Sequence, residues 1–357
     1  MELIYKWMTL VNDALWTYIL IAMLMGCAVW FTLKTRFVQF RMIREMIRLL
    51  GDSAGRGDKS EKHISSFQAF AISLASRVGT GNLAGVATAI AVGGPGAIFW
   101  MWIISLLGAS SAFVESTLAQ LYKVKGKDSF IGGPAYYMKK GLKQPWMGML
   151  FAVLITITFG FAFNSVQSNT ICAAIEHAFG FNHVPMGFII TALTLIIIFG
   201  GINRVAKASE IIVPIMAVLY IATALFVVIM NITQFPHVIY TIISSAFEPV
   251  AAGGGLLGAT VMNGIKRGLF SNEAGEGSVP NAAATAAVNH PVEQGLVQAF
   301  GVFLDTFIIC TASAFIVLIV GDYSTTGLTG VALVQHNLEQ QLGSWAPTAV
   351  AIFIVMF

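Results

Sequence analysis

The chain has 357 residues, 57% of them hydrophobic and only 10% charged, with a formal net charge of +3 and a mean hydropathy of +0.79. A soluble domain carries about 25% charged residues. This composition therefore excludes a water-soluble fold and predicts an all-α polytopic membrane protein. The short alternating segments of a membrane β-barrel are absent. Cys27, Cys172 and Cys310 all sit in apolar runs. They read as small buried hydrophobes rather than as a disulfide set or a metal site.

Several apolar runs reach the roughly 20 residues needed to cross a bilayer. Taken in order, spans are expected near 14–34, 66–92, 97–121, 147–178, 184–200, 208–231, 254–288 and 291–320, with a last one starting near 346. The first run does not read as a signal peptide. Glu2 and Asp13 precede or flank it against a single Lys6, and no small-residue cleavage pattern follows. The last run is cut at Phe357, so a longer, C-terminally continued sequence is expected.

Two of these spans are interrupted. Val78-Gly79-Thr80-Gly81-Asn82 divides the second, and Ser271 to Ser278 divides the seventh. Backbone that leaves the helix at membrane depth must find partners or line a site where a ligand supplies them. Gly79 and Gly81 allow unusual backbone conformations and remove bulk. The half-helix starting near Asn82 presents free amides that suit a carboxylate. The half-helix ending near Val78 presents free carbonyls that suit a small cation. The blander alternative is that Gly79, Gly81 and Gly85 only permit close helix packing, and that Lys266 to Pro280 is a loop.

Basic residues set the expected orientation, because positive loops stay cytoplasmic. Sixteen of the twenty lie in the connections after spans one, three and five, including Arg56, Lys59 and Lys62 in the first. The N-terminus is therefore expected outside, and the two broken spans are expected to cross in opposite directions. The first span (14–34) then stands apart. Five spans form one set (about 66–231), and a second, inverted set begins at the second break (about 254–357) and is left partial within a single transmembrane domain, 1–357.

Intramembrane charges are expensive unless paired. Arg77 is expected to pair with Glu273 or Glu276 as a structural or gating ion pair. Glu115 and Asp305 are isolated acids, each suited to carrying a coupling proton or to pairing with a neighbour. Asn164, Gln167 and Ser168 share a helix face with Gly160, suited to interhelical bonds or to substrate. There is no nucleotide loop, zinc-protease pattern or nucleophile–base arrangement. No enzyme activity, cofactor or nucleic-acid partner is implied, and no oligomeric state is read.

The run Arg77-Val78-Gly79-Thr80-Gly81-Asn82-Leu83-Ala84-Gly85-Val86-Ala87, the turn Gly93-Gly94-Pro95-Gly96 and the run Gly268 to Gly277 resemble the signatures of the alanine or glycine:cation symporter family of the amino acid-polyamine-organocation superfamily. The resemblance covers essentially the whole chain. It implies a leucine-transporter-like 5+5 inverted repeat with one extra N-terminal helix. It also implies symport of small neutral amino acids, chiefly alanine and glycine, with Na⁺ across a cell membrane (H⁺ in some relatives). By similarity, Thr80 and the amides of Gly81 and Asn82 would meet the substrate carboxylate. Gln167 would reach its amino group, and Phe270 and Ser271 would wall the pocket. Carbonyls of Ala75 and Val78 would contribute to a sodium site completed beyond Phe357. The rival class is a channel or a non-transporting sensor.

Overall fold

The protein is described here by a computed structural model covering residues 2–55, 64–127, 129–248 and 258–356. Arg56, Lys59, Lys62 and the first residues expected for the seventh span lie outside the described residues. Helix α1 (Leu3–Lys34) starts well before the expected residue 14 and contains a π-helical turn at Leu15–Leu20. A left-handed turn at Arg36 and Phe37 leads into α2 (Val38–Arg41) and α3 (Ile43–Gly55). The first broken helix follows, as α4 (Ser66–Arg77), a π turn at Gly81–Gly85 and α5 (Val86–Gly93). Then come α6 (Gly96–Leu121), a two-strand hairpin (Val124–Lys125 with Phe130–Ile131), α7 (Pro134–Lys140) and α8 (Pro145–Phe179). Next are α9 (His183–Ile198), α10 (Gly201–Met230) and α11 (Phe235–Ser245). The second broken helix is α12 (Ala259–Asn272) and α13 (Ser278–Ala284). The described chain closes with α14 (Pro291–Val320), α15 (Gly330–Leu342) and α16 (Ala346–Met356).

Among the described residues five helices (α1, α6, α8, α10 and α14) are long and apolar enough to cross a membrane. The distribution of polarity agrees with lipid surroundings. Large apolar side chains such as Phe188, Phe199, Val218 and Leu225 face outward, while Ser73, Arg77, Gln294, Gln298, Asp305 and Ser313 are buried. Backbone and side-chain polar groups must be satisfied within the protein when the exterior is hydrocarbon. Cys27 corrects the sequence reading, since it lies on the exposed side of α1 rather than buried.

The broken helices run antiparallel, as the charge pattern predicts. At one end Ile64 pairs with Ala286, and the Ala287 amide donates to the Ile64 carbonyl at 3.0 Å. Those residues precede α4 and follow α13, so the start of one broken helix lies beside the end of the other. At the opposite end Gly93 lies against Asn263, close to the start of α12. The terminal carbonyls of α13 are held by α6 and its C-terminal extension. Gln120 Nε2 donates to the Ala283 and Ala286 carbonyls at 2.5 and 3.1 Å, and Lys123 Nζ donates to Ala286 at 2.7 Å. Such partners are what a helix C-terminus lacks on its own.

Helix α6 is the spine against which α14 and α12 pack most extensively. Its seam with α12 depends on small residues four apart. A side chain at Gly264 would strike the Ala97 carbonyl, and one at Gly268 would strike Ile104 Cγ2. Close helix approach of this kind replaces the hydrophobic drive that lipid removes. On the other side of α6, Thr32 donates to Ser110, and Gln39 donates to both Thr32 and the Leu106 carbonyl. These bonds staple the N-terminal helix α1 and the segment after it to the spine. Replacing Gly268 with Leu is expected to cost about 1–3 kcal/mol of overpacking, read as a lower melting temperature of the detergent-solubilised protein. An unchanged melting temperature would remove the seam from the account.

Candidate functional site

The first break is built by three amides turning away from the helix ladder. In an unbroken helix the amides of Gly79, Thr80 and Asn82 would serve the carbonyls of Ala75, Ser76 and Val78. Instead Gly79 N–H donates to Arg77 O at 3.1 Å, Thr80 N–H to Gln167 Oε1 at 3.2 Å and Asn82 N–H to Gly79 O at 3.0 Å. The Ala75 and Val78 carbonyls are thereby released from the ladder. The glycines meet one half of the expectation, the removal of bulk, and not the other. Neither Gly79 nor Gly81 has a positive φ. Their contribution is space: a Cβ at Gly79 would sit 3.2 Å from Gln167 Oε1, and one at Gly81 would sit 3.0 Å from Arg267 Nη2.

The second break uses backbone that the first does not. Glu273, Gly275 and Gly277 have φ of +52°, +93° and +83°. A left-handed glutamate is uncommon, and here it is held from both sides. Its carboxylate accepts from Ser76 Oγ at 2.9 and 3.0 Å and from Ser278 Oγ. Asn272 Oδ1 accepts from the Ala274 amide at 3.0 Å, and Glu115 Oε2 accepts from the Gly275 amide at 3.2 Å. The polar stretch therefore forms an internally bonded break rather than a solvated loop.

Asp305, on α14, joins the two breaks and is 0% exposed. One oxygen accepts from Asn82 Nδ2 at 2.5 Å, while the other accepts from Ser271 Oγ at 2.6 Å and Thr306 Oγ1 at 3.1 Å. Cys310 Sγ lies 3.1 Å from Ser271 Oγ. Beside this junction Phe270 stacks on Phe163, which stacks on Phe159, with centroids 5.1 and 4.5 Å apart. Gln167 Oε1 also accepts from Thr80 Oγ1 at 2.9 Å. The structure thus brings Thr80, Gly81, Asn82, Gln167, Phe270 and Ser271 together around the crossing of the broken helices. The rest of the α8 stripe is elsewhere. Asn164 turns back to the Gly160 carbonyl, and Ser168 lines a surface groove with His183 and Gly187.

The expected ion pair of Arg77 with Glu273 or Glu276 is corrected. Among the described residues Arg77 forms no salt bridge. Its Nη1 donates to the Gln298 carbonyl at 3.0 Å, and Nε and Nη2 are buried without a hydrogen-bond partner. The Glu273 carboxylate is already taken by two serine hydroxyls, so attraction between the two charges acts at longer range. Glu276 is half-buried, and its amide donates to the Glu273 carbonyl. Sequence reasoning also missed the strut behind Arg77. Ser73 donates to Gln298 Oε1 at 2.6 Å, Gln298 to Gln294 at 3.1 Å, and Gln294 to Ser66 Oγ at 2.5 Å. The i, i+4 spacing of Gln294 and Gln298 in an apolar helix was the available signal.

A pair of antiparallel broken helices crossing around a buried acid, within an apolar-faced helical bundle, is the arrangement of a transport protein. Residues 1–357 match the sodium:alanine symporter family, and the chain belongs to it. It is similar to the probable sodium/glutamine symporter GlnT of Bacillus subtilis (strain 168), at 56% identity over 97% of this chain and 72% of that protein. The amino-acid carrier protein AlsT of the same organism is 52% identical over 97% and 73%. The sodium/alanine symporter AgcS of Methanococcus maripaludis is 40% identical over 89% and 71%.

Gln167 is the one side chain that holds both polar groups of Thr80. Replacing it with Ala leaves a buried amide and a hydroxyl unpaired, at a cost of about 1–3 kcal/mol. Faster hydrogen exchange over residues 78–82 is the expected outcome. Exchange identical to that of the unaltered protein would show that the break does not depend on this contact.

Proposed function

We propose that the protein is a sodium-coupled symporter of small neutral amino acids, chiefly alanine and glycine. It works by alternating access in the cell membrane with its N-terminus outside, on a leucine-transporter-like inverted-repeat plan. The observation that carries the reading is Asp305, bonded to Asn82 of one break and Ser271 of the other. Several of the groups assigned to the substrate are paired with another part of the site, while the Ala75 and Val78 carbonyls are left open to a cation. Gln167 holds Thr80, Asn82 and Ser271 hold Asp305, and the Gly81 carbonyl is held by Arg267. A zwitterion would replace these contacts with its own. The substrate carboxylate would take Thr80 and the amides of Gly81 and Asn82, and its ammonium would compete for Gln167. Phe270 and Ser271 would wall the pocket. Sodium would take the carbonyls of Ala75 and Val78. A ligand shifts such an equilibrium only through unequal affinity for the two states, and the self-paired site supplies that inequality.

The test is uptake of labelled alanine into proteoliposomes under an imposed sodium gradient. Replacement of sodium by choline is expected to abolish uptake. Persistence of uptake in choline under a proton gradient would transfer the coupling to H⁺, and absence of trans-stimulated exchange would favour a channel. Asp305→Asn is expected to reduce sodium-driven uptake about tenfold or more, the worth of a charge-assisted hydrogen bond.

A second reading concerns the side chain. The 56% identity to a protein named for glutamine favours an amide-bearing substrate. Competition of unlabelled glutamine against labelled alanine separates the two: inhibition at lower glutamine than alanine concentration would make glutamine the preferred substrate.

A further inference from the structure

On the Gly93 side of the junction lies a cavity of about 280 Å³, lined by Trp16, Thr88, Asn263, Lys266, Arg267 and Phe270 among others. No carboxylate among the described residues lines it. Among the described residues neither Lys266 nor Arg267 forms an ion pair. Arg267 is held in a specific pose. Its Nη2 donates to the Gly81 carbonyl at 2.5 Å, and its guanidinium lies 4.9 Å over the Phe270 ring. Gly85 makes the room, because a Cβ there would overlap the guanidinium itself. Arg267 Nε is buried with no hydrogen-bond partner. Two unpaired cations at a membrane-depth cavity are costly, and a guanidinium with unused donors matches a carboxylate through two parallel bonds.

We propose that this cavity is an outer binding site for the carboxylate of the transported amino acid, and that Arg267 is the barrier between it and the breaks. The inference rests on the amino-acid transport reading above. A carboxylate arriving in the cavity takes the free donors of Arg267 and competes for the one that caps Gly81. Once the guanidinium swings from Gly81, the first break is open to the substrate. The cavity offers no acid to an ammonium group among its lining residues, whereas Asp305 lies just inside, bonded to Asn82 next to the Gly81 that Arg267 holds. The zwitterion is therefore oriented with its ammonium leading toward the junction. Arg267 is a positioning and gating residue here, and the final contacts belong to the breaks.

The experiment is equilibrium binding of labelled alanine to the nanodisc-reconstituted protein in saturating sodium, run in chloride and in gluconate. Two sites per chain are expected for the unaltered protein in both salts. One site is expected for Arg267→Gln, and one for Thr88→Trp, which fills the cavity from an exposed position outside both breaks. Uptake by Arg267→Gln is expected to show a KM raised about tenfold, with Arg267→Lys between the two. Sodium-dependent binding at a single site in the unaltered protein would overturn the proposal. So would two sites in Thr88→Trp, which also serves if Arg267→Gln fails to fold. An outer site that holds alanine only in gluconate would assign the cavity to chloride and overturn it likewise. Absence of any sodium-dependent alanine binding in the unaltered protein would instead sink the transport reading on which the proposal stands.

Discussion

A peptide group released from its helix inside a bilayer has no water to turn to, and the rest of this architecture follows from that constraint. Each break is satisfied by side chains delivered from a different helix. Gln167 of α8 takes the Thr80 amide, Glu115 of α6 takes the Gly275 amide, and Ser76 of α4 anchors the left-handed Glu273. The breaks are therefore defined by their neighbours as much as by their own sequence. This arrangement also explains why polar residues are concentrated inside and why the outer faces are apolar. The interior must supply what solvent supplies elsewhere.

The two interruptions solve the same problem by different means. In the first, the backbone stays within ordinary conformations, and the absence of side chains at Gly79, Gly81 and Gly85 admits Gln167 and Arg267 from outside. In the second, positive φ angles at Glu273, Gly275 and Gly277 bend the chain, and hydrogen bonds hold the bend. Asp305 connects the pair through Asn82 and Ser271, so a displacement at one break is felt at the other. Coupling of this kind is reciprocal by thermodynamic necessity: a ligand that favours one arrangement at the first break favours it at the second.

Much of this was legible in the sequence, for identifiable reasons. Glycine and polar residues within long apolar runs marked both breaks, and the loop charges predicted their opposite directions, which the Ile64–Ala286 pairing bears out. Long-range partnerships were not legible. Nothing local tells that Asp305 meets Asn82, or that Arg77 turns to the Gln298 carbonyl rather than to a glutamate. Helices α3, α11 and α15 were hidden for another reason. They are 11–13 residues long, too short for a search tuned to spans. In α3 the apolar spacing of Ile43, Met46, Ile47 and Leu50 is that of an amphipathic surface helix, and Met46 is fully buried beneath it.

The pairing of Ile64 with Ala286 has a mechanical consequence. There the broken helices are sewn together by a main-chain bond and clamped by Gln120 and Lys123. At the far end α5 and α12 meet through side-chain packing, Gly93 lying against Asn263, with no main-chain bond between them among the described residues. The pair is thus built like a clothes peg, with a sprung jaw at one end and a fixed pivot at the other. With about 1.5 Å of rise per helical residue, the breaks lie near the middle of the lever, so a small parting there becomes roughly twice as large at the jaw. Splaying the jaw separates the side-chain packing of α5 on α12 and breaks the Arg267 latch. Parting the pivot ruptures the Ala287–Ile64 main-chain bond while Gln120 and Lys123 hold α13 back on α6, so the two openings differ in kind.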